Sequence, residues 1–401
     1  MKTHSKPDSR IMILSASSGS GHTRAAEALE AACANIPGIA SVEHIDVLEY
    51  TTTLFKEIYA DLYEQMVSKA PTMWGWWYEK SDTPWKGEKF RVALERFQMR
   101  PLQELLRDRK PDITICTHFL ASDIVSYMLQ QKELSTSHAV VVTDMHVHAL
   151  WLCHYFERYF VATKESEYYL QQLAIPEDRI TLSGIPIHPA FSNPMDRDIL
   201  RKKHEVDPAL PVLLVSAGTF GLESSIDVVR ALMHLQHPAQ IIAICGRNDE
   251  LLQEVNKLTE TPPPHLKFRA LGYVTDMHEW MALADLFIGK PGGLTLSEAL
   301  ASSLPMVLVN PIPGQETFNA SGLLEQGVAV SPTDIITIPH KVDVLLYEPQ
   351  RLAAMRERMK NLAHPRAACT IIENLLATPP SFERKEQEAT SDQTDADPLD
   401  R

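Results

Sequence analysis

The segment Gly289-Lys290-Pro291-Gly292-Gly293-Leu294-Thr295-Leu296-Ser297-Glu298-Ala299-Leu300 closes an apolar run, Ala284 to Ile288, and opens a helical pattern. A strand that ends in Pro-Gly-Gly leaves the first-turn amides of the next helix bare, with no side chain to block an approaching anion. Gly292, Gly293 and Thr295 form that candidate phosphate cradle. Glu298 follows one turn later, poorly placed for phosphate and well placed for the two hydroxyls of a ribose. The chemistry implied is binding of a nucleoside diphosphate.

Further loops repeat the arrangement. Ser216-Ala217-Gly218-Thr219-Phe220-Gly221 and Gly246-Arg247-Asn248 each follow an apolar run, at the carboxyl ends of strands where open α/β sheets bind ligands. Arg247 reads either as a phosphate partner or as a solvated surface arginine. Pro311 to Asn319 adds a glycine turn followed by Gln315, Glu316 and Asn319, the directional donors and acceptors that sugar hydroxyls need, or else a capped helix start. Near the amino terminus, Ser17-Ser18-Gly19-Ser20-Gly21-His22 joins a strand to a helix without the GKS/T ending of a P-loop. His22, beside a helix amino terminus, is held neutral there and is able to take a proton. Asp144 ends the run His138 to Thr143; it is a second candidate base, or a residue that orients a histidine or binds the acceptor. His118 and His148 sit at comparable strand ends, as lining residues or as hydrogen-bonded structural ones.

These residues need a scaffold, and the apolar runs supply it. Ile11 to Ala16, Ser41 to Val47, Ile113 to Thr117, His138 to Thr143 and Arg158 to Ala162 read as buried parallel strands with helical patterns between them. A second series follows Pro211: Val212 to Ser216, Gln240 to Cys245, Lys267 to Leu271, Leu286 to Ile288 and Met306 to Val309. Two doubly wound, Rossmann-like domains facing a central cleft are expected. The prolines from 186 to 211 place the boundary, giving 1–190 and 191–378, with 379–401 as a disordered acidic tail.

The chain has 401 residues and a formal charge of -14, which argues against a general nucleic-acid binder. Cys33, Cys116, Cys153, Cys245 and Cys369 show no CxxC pair or metal-ligand spacing, so buried free thiols in a reducing compartment are expected. No apolar run approaches the length that spans a bilayer, and residues 1–10 lack a signal-peptide core.

Four of the six tryptophans, Trp74, Trp76, Trp77 and Trp85, lie within twelve positions, and Lys86, Lys89, Arg91, Arg96 and Arg100 follow. Aromatic residues beside a basic helix have the composition of an interfacial membrane element. The spacing of Phe90, Leu94 and Phe97 also suits an aromatic-rich core helix.

The stretch Ser15 to Ala26 resembles the amino-terminal signature of monogalactosyldiacylglycerol synthases and processive diacylglycerol glucosyltransferases. Gly289 to Leu300, with Pro313-Gly314-Gln315-Glu316, is similar to their nucleotide-sugar domain, shared with the peptidoglycan N-acetylglucosaminyltransferase. Thr143 to Trp151 and Gly184 to Pro189 complete four motifs in order, covering roughly Ile11 to Ile372. The resemblance implies a GT-B fold and an inverting transferase without metal or other cofactor. It would move galactose or glucose from UDP-galactose or UDP-glucose to diacylglycerol or a related lipid, giving a β-glycolipid.

On that reading His22 is the base, with Asp144 behind it. Gly218, Thr219, Gly246, Arg247, Asn248, Val274, Gly292, Gly293, Thr295, Glu298, Gln315, Glu316 and Asn319 hold the nucleotide sugar. Gly21, His118, His148 and the four tryptophans serve the acceptor and an anionic membrane surface, making the protein cytoplasmic and peripheral to the inner face of the membrane. Two other classes remain open: an isomerase like UDP-N-acetylglucosamine 2-epimerase, and a non-catalytic membrane-bound sensor of UDP-sugar.

Overall fold

The computed structural model describes residues 8–17, 19–52, 70–85, 97–219 and 221–378. Lys86, Lys89, Phe90, Arg91, Leu94, Arg96 and the acidic tail from 379 lie outside the described residues, as do Ser18 and Phe220.

The described residues form two compact units. The first contains a six-stranded sheet in the order β2-β1-β3-β4-β5-β6, from β1 (Ser9–Ser15), β2 (Ile39–Asp46), β3 (Ile113–Cys116), β4 (Ser137–Val141), β5 (Arg158–Val161) and β6 (Ile180–Leu182). Every pairing is parallel. β3 and β4 are buried at every position, which is why they read as unbroken apolar or small runs rather than as alternating ones. The order reverses direction between β1 and β3, the switch point outside which open α/β sheets hold ligands.

The second unit repeats the plan in the order β12-β11-β10-β7-β8-β9, from β7 (Val212–Val215), β8 (Ala239–Ile244), β9 (Leu266–Leu271), β10 (Leu286–Gly289), β11 (Met306–Leu308) and β12 (Ala329–Val330). Its switch point lies between β7 and β10. β6 and β12 were not expected. They have three and two residues, too short to register as apolar runs.

The expected division by one cut at 190/191 is corrected in two places. The first unit holds the described residues up to 52, those from 80 to 188 and those from 366 to 378; the second holds 70–79 and 189–365. The carboxyl-terminal helix Ala367–Ala377 therefore belongs to the first core, where Ala368, Ile371, Ile372 and Leu375 pack with Ile11, Ile13, Ala26 and Leu29. Conversely, most of α2 (Pro71–Ser81), the tryptophan helix, belongs to the second unit.

All five cysteines are free, four of them buried. Burial pushes the Cys33 thiol up to about 12 and that of Cys245 up to about 11, so neither is a ready nucleophile. No helix among the described residues is long and apolar enough to cross a membrane.

Candidate active site

In the first unit the chain leaves β1 at Ser15 and enters α1 (Ser20–Cys33) through Gly19, the N-cap residue. The helix buries Ala25, Ala26, Ala28, Leu29, Ala32 and Cys33, mostly small side chains that let it lie close to the sheet. This fixes its first turn at the switch point, with half-buried His22 in it. A Cβ built on Gly21 meets nothing within 4 Å, so the backbone beside His22 faces open space.

The imidazole is held on one edge. Nδ1 lies 2.9 Å from the Thr117 carbonyl oxygen and 2.8 Å from Thr143 Oγ1. A carbonyl can only accept, so Nδ1 carries the hydrogen and Nε2 keeps the lone pair. Thr117 Oγ1 in turn donates to the His22 carbonyl at 3.0 Å, tying the end of β3 to the first turn of α1. Burial lowers the histidine's affinity for a proton below its ordinary value, while the charge of Asp144 and the Thr117 hydrogen bond partly restore it. The ring is thus held toward its neutral form with a fixed tautomer. Thr117 and Thr143 were not singled out from sequence; only their positions at strand ends pointed to them.

The two other candidate histidines, His118 and His148, each cap the element that follows them. His118 is buried and N-caps α4, the helix Phe119–Gln130 that follows α3 (Arg100–Arg109), its Nδ1 accepting from Leu120 N at 3.2 Å. Its ring packs edge-on against His22 at 4.5 Å between centroids, and burial with that neighbour holds it neutral. His148, also buried, caps the turn Ala149–Trp151 by accepting from Leu150 N at 3.1 Å.

Asp82 accepts from Ala149 N at 2.8 Å and faces His146 Nε2 at 3.6 Å and His148 Nε2 at 3.8 Å. Burial acts to raise its carboxyl, yet those hydrogen bonds and histidines hold it below the usual value. Asp82 thus organises the loop that carries Asp144, itself buried. More than sixty residues separate Asp82 from its partners, so no local spacing signals it.

In the second unit, β10 ends at Gly289 and α10 (Gly293–Ala301) begins from the N-cap Gly292, after α5 (Lys164–Gln172), α6 (Arg197–Lys203), α7 (Leu222–Leu232), α8 (Asp249–Leu258) and α9 (Met277–Leu283). Its N-cap is a glycine with no side chain of its own to cap the first amides, the kind of helix start that meets an anion. Thr295 is half-buried and Glu298, three residues on and therefore on the same side, is 2% exposed.

Next to this helix start stands Glu316, in the first turn of α11 (Gln315–Glu325). Its Oε1 is 3.9 Å from where a Gly292 Cβ would be, and its Oε2 accepts from Ile312 N at 2.7 Å. Gln315 opens the same turn and Asn319 is buried one turn further on. Gly292, Gly293 and Glu316 are thereby brought together, with Thr295, Glu298, Gln315 and Asn319 on the same two helices.

The remaining loops differ in character. A Cβ on Gly218 would lie 2.7 Å from the Cys245 carbonyl oxygen, so that glycine is required by backbone approach. Gly246 has φ +65 with open space around it. Arg247 is exposed and lies over the Tyr273 ring at 4.5 Å, whereas Asn248 caps α8 by accepting from Leu251 N at 2.9 Å. Thr219 ends a short 3₁₀ turn after β7, and half-buried Val274 lies on the loop after β9.

The group His204, Asp276 and Glu279 is the one cluster among the described residues with metal-ligand geometry. Lys203 Nζ, 2.6 and 2.7 Å from the two Glu279 oxygens, already takes the place of a cation there.

Of the tryptophans, Trp76 and Trp77 are 61% and 41% exposed, with Met73 at 55% beside them. Phe97 is also exposed, under the Arg100 guanidinium at 4.6 Å. Trp74 is half-buried and packs on Trp77 and Tyr78. Trp85 stacks on His154 at 4.6 Å.

Two parallel doubly wound sheets define the GT-B fold of glycosyltransferases. MurG of Acinetobacter baumannii superposes with a TM-score of 0.61 at 16% identity, covering 93% of this chain and all of that one. The UDP-GlcNAc 2-epimerase of Neisseria meningitidis gives 0.56 at 14% identity over 92% of this chain and all of that one, a likeness of fold alone. Residues 22–187 match the family model of monogalactosyldiacylglycerol (MGDG) synthase and residues 196–363 that of glycosyl transferases group 1.

A processive diacylglycerol beta-glucosyltransferase of Bacillus cereus (strain AH187) is 31% identical over 369 residues, which is 92% of this chain and 93% of that protein. The chain belongs to this family of diacylglycerol glycosyltransferases and is a lipid glycosyltransferase.

Proposed function

We propose that the chain moves galactose or glucose from a UDP-sugar to the hydroxyl of diacylglycerol or a similar lipid, with inversion at the anomeric carbon. The observation that carries the reading is the Thr117 carbonyl on His22 Nδ1, which leaves Nε2 as a neutral base. The lipid hydroxyl gives its proton to Nε2 while its oxygen bonds to the anomeric carbon. The bond from that carbon to the β-phosphate oxygen breaks, and UDP leaves. An α-linked donor attacked from the opposite face gives a β-glycolipid.

Charge on the departing diphosphate is met by the first amides of α10 at Gly293 and Thr295, so the chemistry asks for no metal. Glu298 takes the ribose hydroxyls, and Gln315 and Glu316 the sugar hydroxyls. The acceptor stays in a bilayer, and exposed Met73, Trp76 and Trp77 suit docking on it, as for a cytoplasmic protein at the inner membrane face.

The test pairs two variants of the full chain. His22→Ala is expected to keep UDP affinity by calorimetry while transfer falls roughly 100-fold or more. Glu298→Ala should weaken UDP binding. Near-normal turnover in the first variant, or parental UDP affinity in the second, overturns the respective assignment. A product epimeric at the second sugar carbon would favour the isomerase, and UDP-sugar binding without turnover on any lipid the sensor.

A further inference from the structure

Helix α2 has an interior glycine, which costs a helix about 1 kcal/mol relative to alanine. A close neighbour accounts for it. A Cβ on Gly75 would lie 2.6 Å from Pro313 Cβ, on the turn that leads into α11. One helical turn along, Tyr78 closes on the same segment: a Cβ on Gly314 would lie 2.8 Å from Tyr78 Cδ1 and 3.1 Å from its Cβ and Cγ. Gly314 has φ +84, where other residues are strained, and is the N-cap of α11. The Tyr78 ring also packs on Phe318, at 6.5 Å between centroids.

The turn is closed on itself by Ile312 N donating to Glu316 Oε2. That bond ties the two ends of the turn, and α2 packs against its middle. Two glycines, one on each side, allow an approach that any side chain would prevent.

We propose that α2 is a positioning element of the donor site: Gly75 and Tyr78 seat Pro313-Gly314 and thereby aim Gln315 and Glu316 at the sugar. The proposal rests on the reading of that turn as sugar-binding. Neither residue touches substrate; they act through the turn. Since α2 precedes the turn by more than two hundred residues, the specificity of the second unit is set in part by a segment from the first half of the chain.

The test measures affinity of the full chain for UDP and for UDP-glucose and UDP-galactose by calorimetry, with donor KM alongside. Gly75→Ala and Tyr78→Ala are expected to leave UDP affinity within about twofold while UDP-sugar affinity falls and donor KM rises roughly tenfold, a loss of about 1.4 kcal/mol. Tyr78→Phe should hold the ratio of UDP-sugar to UDP affinity closer to the parent's than Tyr78→Ala does, because it keeps the side-chain carbons that face Gly314. An unchanged ratio of UDP-sugar to UDP affinity in both alanine variants overturns the proposal. Equal loss for UDP and UDP-sugar also overturns it, since that is general damage to the unit. A parent that binds neither ligand sinks the reading of the turn itself, and the proposal with it.

Discussion

His22 is held by two neutral oxygens, from Thr117 and Thr143, while Asp144 acts on it through its charge. A carboxylate bonded directly to the ring would make a stronger base and pull its titration toward physiological pH. Burial pulls the other way: it disfavours the imidazolium, so the neutral form persists as pH falls past the ordinary histidine value near 6.5. Turnover should therefore lose activity on its acid side only when pH is lowered through that depressed value. Removing the Asp144 charge removes a term that raises it. Asp144→Asn is accordingly expected to move the acid limb of kcat/KM to lower pH, with a moderate loss of rate from weaker basicity. A collapse of turnover by 1000-fold or more with no shift of the limb would instead make Asp144 the base.

Elements are legible in this chain where they are long and buried on both faces. β1, β3, β4, β7 and β8 are runs whose apolar character needs no partner to be seen, and the glycine loops after β1, β7, β8 and β10 mark the ligand edge. What local pattern cannot carry is a partner distant in the chain. Gly218 reads as a phosphate glycine, yet its want of a side chain is explained by the Cys245 carbonyl. Asp82 and Tyr78 give no signal because their partners, Ala149 and Gly314, are remote in sequence.

The helix Ala367–Ala377 is the same case: its apolar spacing shows that it packs, but not that it packs on α1 in the first unit. That membership is measurable. Ile371 is fully buried among Ile11, Ile13 and Leu29, so Ile371→Ala should cost about 2–5 kcal/mol of the first unit's stability in urea unfolding. UDP binding, assigned to the second unit, should persist at denaturant levels where the first has opened. Loss of UDP binding in step with that opening would contradict the separation.

At the scale of the whole molecule, the proposed function asks a chain of net charge -14 to reach an acceptor in a bilayer without a described helix able to cross it. Its overall charge opposes an anionic surface, so attraction has to be local. α2 turns Gly75 and Tyr78 inward and Met73, Trp76 and Trp77 outward, reversing the usual order in which the larger apolar side chains are hidden. Burying one large apolar side chain contributes about 1.5–3 kcal/mol, or roughly tenfold or more in partitioning per aromatic ring.

In that docking, the bases of the sequence from Lys86 to Arg100 would add a term that salt screens, whereas the aromatic term would not depend on ionic strength. Two slopes therefore separate the contributions. Replacing Met73, Trp76 and Trp77 together by serine should cut sedimentation with anionic vesicles at every salt concentration and leave UDP affinity intact. Raising salt should weaken the parent's association without abolishing it. Sedimentation of the triple variant equal to the parent's at high salt would show that the outward face of α2 takes no part, and would leave the basic segment as the sole anchor.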